Sequence, residues 1–259
     1  MKIIAHRGAS GACPENTLSA IKKAIDVGVD AIEIDIRLSS DGEVFVMHDA
    51  KVNRTTNSKG LLRRLNSEYL RNLDAGSWFD SQFKGERIPT LRQVIETCKG
   101  KTELLVEVKS AQRSRYPLMI DKIHLLLEQY QAFDFVKVQS FDSRILDLFH
   151  AKDQRFRISK LIVYNIGLGD KTKFYYDEKF RTGNLFSIDY LEGINTSQRY
   201  VNQRLIKRVH DANKEIYCWT ANQHRTMKRL IRLGVDGIIT NYPDKLKLLL
   251  LENSISPNK

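Results

Sequence analysis

In the segment Ala31-Ile32-Glu33-Ile34-Asp35-Ile36-Arg37, isoleucine alternates with charged residues. Successive side chains of a β-strand point to opposite faces, so the isoleucines share one face and the three charged residues share the other. The run at 103–109 repeats this arrangement, with Glu107 and Lys109 opposite an aliphatic face. The pattern predicts two strands of one sheet, each with an apolar side and a charged side.

Short aliphatic runs alternate with amphipathic helical stretches along the chain, which is typical of a parallel sheet with helical crossovers. Eight candidate strands lie at residues 3–6, 31–36, 103–109, 135–139, 157–163, 185–189, 215–219 and 237–240. Helical stretches between them include residues 15–27, 91–98, 118–130, 204–212 and 225–233. We read residues 167–173 as a loop. Eight strands with helices in about 250 residues predict an α/β fold, the TIM (β/α)8 barrel.

One segment breaks the alternation. About fifty residues separate the second strand from the helix at 91–98, whereas a βα loop usually has about 2 to 6. We therefore expect a small insertion after the second strand, at about residues 50–87. A short strand at 43–47 and a short helix at 67–73 are predicted within this region. The whole chain, 1–259, is predicted to be a single domain, with residues 253–259 as a frayed tail.

In a barrel, the charged faces of the two strands point inward, and inward positions near the carboxyl ends of strands supply catalytic groups. Glu33, Asp35 and Glu107 would then converge. Buried carboxylates repel each other and are costly to desolvate unless something cationic lies between them. A metal ion meets that need, and an all-oxygen site favours Mg²⁺, Ca²⁺ or Mn²⁺. The alternative is an internal salt-bridge network of these acids with Arg37 and Lys109.

Two histidines lie at comparable places, His6 at the end of the first strand and His48 at the end of the short strand at 43–47. A pair of histidines can act as general acid and base near neutral pH, and Arg7 and Lys109 are cations suited to phosphate. The other four histidines fall on predicted helices or their ends and receive no role: His124, His150, His210 and His224.

The net charge, the cysteines and the apolar runs bear on the class of protein. The net charge of +11 is concentrated on predicted helices near the carboxyl terminus, without aromatic interleaving, so we read it as a solvated face and expect no nucleic acid partner. Cys13, Cys98 and Cys218 form no C-x-x-C pair and indicate neither a disulfide framework nor a zinc site. No apolar run approaches the roughly 18 residues that span a bilayer, and no signal peptide is visible. We expect a cytoplasmic protein without stable membrane insertion.

Many of these residues fall within motifs of a known family. The chain resembles the glycerophosphodiester phosphodiesterases over nearly its whole length. The motifs that carry the resemblance, in order, are His6-Arg7-Gly8, Pro14-Glu15-Asn16-Thr17, Glu33-Ile34-Asp35, Asp41-Gly42, His48-Asp49, Arg54-Thr55-Thr56, Ile88-Pro89-Thr90-Leu91, Glu107-Val108-Lys109, Ser140-Phe141, Trp219-Thr220-Ala221-Asn222 and the stretch at 236–243.

The resemblance implies a role for each candidate residue. Glu33, Asp35 and Glu107 would bind one divalent cation, and His6 and His48 would be the acid–base pair, with His6 as base and His48 as acid by analogy with related phospholipases. The substrate-binding residues would be Arg7 and Lys109 on the phosphate, Glu15 near the metal, and Trp219 on the glycerol side. A barrel-wall tryptophan packed as core is an equal reading of Trp219.

The function that follows is hydrolysis of a glycerophosphodiester, a small-molecule substrate, to sn-glycerol 3-phosphate and an alcohol. The nucleophile is either water or the substrate's own neighbouring hydroxyl, which would give a cyclic phosphate. Two alternatives stay open at this point: phospholipase D-like hydrolysis of lysophospholipids, and a non-catalytic barrel that binds phosphate or nucleic acid. The oligomeric state and the preferred alcohol are not indicated by the sequence.

Overall fold

The computed structural model describes residues 1–110, 112–163 and 185–255. Their centre is a closed barrel of eight parallel strands, as predicted. The barrel strands are β1 (Lys2–His6), β2 (Ala31–Leu38), β4 (Glu103–Val108), β5 (Val136–Ser140), β6 (Arg157–Ile162), β7 (Leu191–Ser197), β8 (Tyr217–Trp219) and β9 (Gly237–Thr240). The barrel closes because β1 pairs with both β2 and β9. A short strand, β3 (Val44–Val46), lies antiparallel to β2 at its carboxyl end.

Helices connect the strands on the outside. They are α1 (Leu18–Val27), α2 (Ser67–Arg71), α3 (Leu91–Cys98), α4 (Tyr116–Tyr130), α5 (Ser143–Lys152), α6 (Gln203–Asp211), α7 (His224–Leu233) and α8 (Pro243–Ile255). Helix α3 begins with a capping box, in which Thr90 and Gln93 satisfy each other's backbone amides. None of the helices described is long and apolar enough to cross a membrane. The three cysteines are free and buried.

The predicted alternation of faces is confirmed on β2. Ile32, Ile34 and Ile36 are fully buried in the large cluster between the barrel and the helices. The barrel interior holds a smaller apolar cluster that contains Ile4, Ala31, Leu105, Tyr217 and Ile239. Above that cluster, towards the carboxyl ends of the strands, the inward positions of β2 and β4 are charged. Aliphatic packing thus closes the barrel and leaves its carboxyl end for polar groups.

The insertion forms a layer beside β3. It contains α2 and two short 3₁₀ helices, Leu62–Arg64 and Ser81–Phe83. Its own small core is formed by Phe45, Met47, Val52, Leu62, Leu70, Leu73, Ala75 and Ile88. Because part of this core comes from β3, the insertion is packed against the carboxyl end of the barrel.

Several predicted boundaries are wrong. The sixth barrel strand is not at 185–189, which begins with the 3₁₀ helix Leu185–Ser187; the strand is Leu191–Ser197. The inward positions of that strand include Gly193 and Asn195, so it lacks the apolar alternation that marks a strand. The first helix begins at Leu18, not at residue 15, because Thr17 caps it. Helix α8 extends to Ile255, into the residues predicted to form a frayed tail, and that tail stays a prediction. The loop predicted at 167–173 lies outside the described residues.

Candidate active site

Three carboxylates meet at the carboxyl end of the barrel. In the sheet register His6 is beside Glu33 and Asp35 is beside Glu107. One oxygen from each of Glu33, Asp35 and Glu107 lies within 4.8 Å of the others. The three residues are buried, with exposed fractions of 2%, 1% and 8%. The convergence predicted from strand parity is therefore present. Carboxylate oxygens at this spacing form a donor set that a hard divalent cation prefers.

Two cations reach this cluster. Lys109 Nζ lies 2.8 Å from Asp35 Oδ1 and 2.5 Å from Glu107 Oε1. Arg7 Nε lies 3.2 Å from Asp35 Oδ2 but forms no hydrogen bond with the described residues. Glu33 forms no ion pair with the described residues and accepts the backbone amide of Arg7 at 3.1 Å. Arg37, which the salt-bridge alternative placed in this network, instead donates to the His48 carbonyl at 2.9 and 2.6 Å. The positive charge is thus directed mainly at Asp35.

The pKa values of the three carboxylates follow from this distribution of positive charge. Burial alone would raise the pKa of Asp35, but Lys109 and Arg7 outweigh it and hold that pKa below its ordinary range. Burial and the neighbouring Asp35 raise the pKa of Glu107 to about 7, and the same two causes raise the pKa of Glu33 well above its ordinary value. Two of the three carboxylates are therefore short of positive charge. This is the environment that a bound divalent cation would relieve.

The His6-Arg7-Gly8 segment is a sharp turn after β1. Arg7 and Gly8 have positive φ angles of 57° and 78°, and a Cβ on Gly8 would lie 2.6 Å from the Ala20 carbonyl carbon. Only glycine fits that position. The turn aims the Arg7 amide at Glu33 and packs the segment against α1.

Asn16 is a site residue for which the sequence predicted no role. It is buried, has a positive φ of 58°, and donates from Nδ2 to Asp35 Oδ2 at 2.9 Å. Its Oδ1 accepts the Asp35 backbone amide at 3.3 Å. Asn16 thereby fixes the rotamer of Asp35, whose pKa is the lowest of the three carboxylates. Its place in the Pro14-Glu15-Asn16-Thr17 motif was the signal that could have identified it.

His6 lies at the end of β1 with its imidazole held by an amide. Its Nδ1 donates to Asn241 Oδ1 at 2.6 Å, and the Asn241 backbone amide donates to Asn222 Oδ1 at 2.9 Å. Burial and the adjacent Arg7 lower the pKa of His6 to about 4. The ring is therefore neutral at neutral pH, with the proton on Nδ1.

His48 lies after β3 and is held by a carboxylate instead. Its Nδ1 is 2.7 Å from Asp49 Oδ1, and its side chain is 35% exposed. Burial lowers the pKa of His48, although Asp35 and the hydrogen bond to Asp49 act in the opposite direction. Each histidine thus has Nδ1 engaged, and the two differ in whether the partner is neutral or anionic. Their helical counterparts, His124, His150, His210 and His224, lie away from the site on α4 to α7.

Glu15 does not join the three-carboxylate cluster. Its Oε1 accepts Arg7 Nη1 at 2.8 Å, and Arg54 of the insertion donates to both of its oxygens at 2.8 Å. Burial would raise the pKa of Glu15, but the hydrogen bond from Arg54 and the charge of Arg7 outweigh it and lower that pKa. Glu15 is therefore a partner of two arginines, one of which lies beside Asp35, and its role near the metal stays a prediction.

Trp219 is the last residue of β8. It was predicted either to contact the glycerol moiety or to pack as a core residue of the barrel wall. Its ring packs against the interior apolar cluster and meets Phe141 edge-on, with centroids 5.8 Å apart. The residue is only partly buried, and its indole nitrogen has no hydrogen-bond partner among the described residues. Trp219 therefore packs on the edge of the interior apolar cluster, and its contact with substrate stays a prediction.

The fold agrees with the comparisons to known proteins. A model of the glycerophosphoryl diester phosphodiesterase family matches residues 6–245. The chain is 33% identical over 247 residues to the glycerophosphodiester phosphodiesterase of Caldanaerobacter subterraneus subsp. tengcongensis, covering 94% of this chain and 95% of that protein. It is 32% identical over 245 residues to the glycerophosphodiester phosphodiesterase of Bacillus altitudinis, covering 94% and 96%.

A solved structure is similar over the same extent. An Oleispira antarctica phosphodiesterase in complex with the product sn-glycerol-3-phosphate matches with a TM-score of 0.86 and 26% identity, covering 96% of each chain. The match to the family model includes every residue of the site described above. The chain belongs to the glycerophosphoryl diester phosphodiesterase family.

Proposed function

We propose that the protein hydrolyses glycerophosphodiesters to sn-glycerol 3-phosphate and an alcohol, with one divalent cation held by Glu33, Asp35 and Glu107. The observation that carries the proposal is the meeting of three buried carboxylates and two oriented histidines at one end of the barrel. Family membership supplies the substrate class. A barrel that only bound phosphate would have no need of two proton-transfer groups.

The residues present fit a hard cation. The donors are all carboxylate oxygens, they are buried, and the raised pKa values of Glu33 and Glu107 reflect a lack of compensating positive charge. When bound, the cation would polarise a phosphate oxygen and lower the pKa of the attacking hydroxyl. Mg²⁺ and Ca²⁺ are the first candidates, and Mn²⁺ has the same preference for oxygen ligands.

The two histidines suit opposite proton-transfer roles. A general base must be unprotonated at the start, and His6, with its low pKa and neutral Asn241 partner, meets that condition. A general acid must hold a proton, and the Asp49 carboxylate favours the protonated form of His48 against the effect of burial, which lowers the pKa of His48. His6 would take the proton of the nucleophile, and His48 would donate a proton to the leaving alkoxide. Both would act through Nε2, since Nδ1 is engaged.

The phosphate would lie against the cations of the site. Arg7 is held by Glu15, and Lys109 is held by Asp35 and Glu107, so both are preorganised. Their positive charge would bind the substrate phosphodiester and stabilise the charge that develops on it. The ring of Trp219 would contact the apolar edge of the glycerol moiety.

The test is a steady-state assay of the purified protein on glycerophosphocholine, with lysophosphatidylcholine as the competing substrate. We expect turnover of the first substrate, and a loss of about 100-fold or more in His6→Ala and in His48→Ala. His124→Ala is the matched control, because His124 also pairs with an aspartate but lies on α4. Preference for the lysophospholipid would contradict the substrate proposal, and normal rates in both variants would contradict the histidine roles.

A further inference from the structure

We propose that Arg54, supplied by the insertion, is a positioning residue that holds Arg7 and His48 in their working orientations at the same time. The inference rests on the proposed function and deepens it. The Arg54 guanidinium makes two forks: Nη1 and Nη2 each donate to Glu15 at 2.8 Å, and Nε and Nη2 donate to Asp49 at 2.8 and 3.2 Å. A planar guanidinium can form two such bidentate forks at once, whereas an ammonium, with three N–H groups, cannot form the four bonds.

Each of these carboxylates passes the constraint to a site residue. Glu15 Oε1, which accepts Arg54 Nη2, also accepts Arg7 Nη1 at 2.8 Å. Asp49 Oδ1 lies 2.7 Å from His48 Nδ1. The result is a continuous chain from Arg7 through Glu15, Arg54 and Asp49 to His48. It joins the two sides of the site, the turn after β1 and the segment after β3.

The insertion holds Arg54 firmly enough for this purpose. Val52 is fully buried in the core of the insertion, and Thr56 donates from Oγ1 to the Val52 carbonyl at 2.7 Å. The exposed ring of Trp78 lies 6.0 Å from the guanidinium carbon of Arg54. The backbone on both sides of Arg54 is therefore fixed, and its side chain has an aromatic neighbour. This gives the insertion a function beyond covering β3.

A second arginine provides a natural control. Arg155 also bridges two carboxylates, Asp153 and Glu128, and Asp153 in turn contacts His124 at 2.9 Å. The arrangement of arginine, aspartate and histidine is the same, and the exposure is similar, 54% for the Arg155 side chain against 44% for Arg54. Exposed ion pairs contribute little to stability by themselves. What distinguishes Arg54 is the pair of residues that it orients.

The experiment is a double-mutant cycle on the full chain, with glycerophosphocholine as substrate. We expect Arg54→Lys to lower kcat/KM by about 10- to 100-fold, the usual cost of losing an orienting partner, and Arg155→Lys to change it less than about twofold. Because Arg54 acts through Asp49, we expect Arg54→Lys combined with Asp49→Asn to be no slower than the slower single variant. In ¹⁵N spectra, Arg54→Lys should shift the Nδ1 signal of His48 and leave that of His124 unchanged.

The outcomes separate the proposals. An inactive wild-type protein would contradict the proposed function itself, and with it the positioning role that depends on that function. With an active wild type, normal turnover in Arg54→Lys would overturn the positioning role. So would additive losses in the double variant, which would mean that Arg54 acts independently of Asp49 and does not position His48. A fall in activity that merely follows a fall in unfolding temperature, with an unchanged His48 signal, would assign Arg54 to stability and likewise overturn it.

Discussion

Charged side chains occupy both ends of the same barrel, and the two ends differ in how the charges balance. At the amino end, three cations and three carboxylates pair with each other: Lys2 with Glu103, Lys137 with Glu192 and Glu215, and Arg157 with Glu192, at 2.7 to 3.2 Å. At the carboxyl end, three buried carboxylates face Lys109 and Arg7, and Arg7 is shared with Glu15.

The acidities report this difference. Lys137 outweighs the effect of burial and lowers the pKa of Glu215 at the amino end. At the carboxyl end, burial and Asp35 raise the pKa of Glu107 to about 7. The amino end has as many cations as carboxylates, whereas the carboxyl end has more carboxylates than cations facing them, an imbalance that an external cation can relieve. The charge balance of a buried network, and not its size, therefore distinguishes a structural network from a binding site.

The largest expected effect is on catalysis. Glu107→Gln removes a proposed cation ligand and should lower kcat/KM for glycerophosphocholine by about 1,000-fold, since such a cation contributes several kcal/mol to the transition state. The same change should raise the unfolding free energy of the metal-free protein by about 1 kcal/mol, because it removes a poorly compensated buried charge. Denaturant unfolding in EDTA measures the second quantity. Glu103→Gln, on the same strand but at the amino end, should leave turnover near the wild-type rate.

Cation binding should stabilise the folded protein only through the site at the carboxyl end of the barrel. At a divalent cation concentration of about 100 times Kd, we expect the unfolding free energy to rise by about 2.7 kcal/mol. Thermal unfolding with and without Mg²⁺, Ca²⁺ or Mn²⁺ measures the effect. It should persist in Glu215→Gln and disappear in Glu107→Gln; equal stabilisation of the two variants would mean that the cation binds elsewhere.

The amino end should matter for folding and not for turnover. Lys137 is 4% exposed and pairs with Glu192 and Glu215, which are each more than a third exposed. Lys137→Met should lower the unfolding free energy by about 2 kcal/mol, less than for a fully buried pair because the carboxylates stay partly solvated. Turnover of the folded variant should remain within about twofold of the wild type. A selective loss of activity at unchanged stability would contradict the assignment of this end to structure.

The smallest expected effect is a difference in pH dependence in EDTA. The folded pKa of Glu107, about 7, exceeds the ordinary value near 4.3, so the folded state binds the proton more tightly and loses stability as pH rises between these values. Glu215, whose folded pKa is lowered, contributes stability that is lost as pH falls below its ordinary value. The stability gained from Glu107→Gln should therefore grow by on the order of 1 kcal/mol between about pH 5 and pH 7. A stability gain that shrinks over this pH range would contradict the raised pKa of Glu107.

Much of the barrel was predictable because its strands alternate strictly. The isoleucines of β2 define the parity of that strand, and parity alone is enough to predict that Glu33, Asp35 and Glu107 converge. Strand β7 was misplaced because Gly193 and Asn195 occupy inward positions where small and polar side chains give no apolar alternation. A strand whose inner face is not aliphatic lacks the usual sequence signal.

The partners of the site residues were less predictable. The contacts of Asn16 depend on a backbone with positive φ, and the contacts of Asn241 depend on closure of the barrel between β1 and β9. Arg54 reaches Glu15 across 39 positions in the chain, through an insertion whose fold has no repeating pattern. These contacts arise from tertiary packing, which local periodicity does not encode. The motifs contained all three residues, but only the geometry assigns them a contact.

We propose that glycerophosphodiester hydrolysis requires a cation held at the carboxyl end of the barrel. This requirement is tested by the rate of glycerophosphocholine hydrolysis by the wild-type protein in EDTA, followed by addition of excess Mg²⁺ or Ca²⁺. We expect the rate to fall to background in EDTA and to return when one of these cations is restored. A rate that is unchanged by EDTA would rule out the cation requirement.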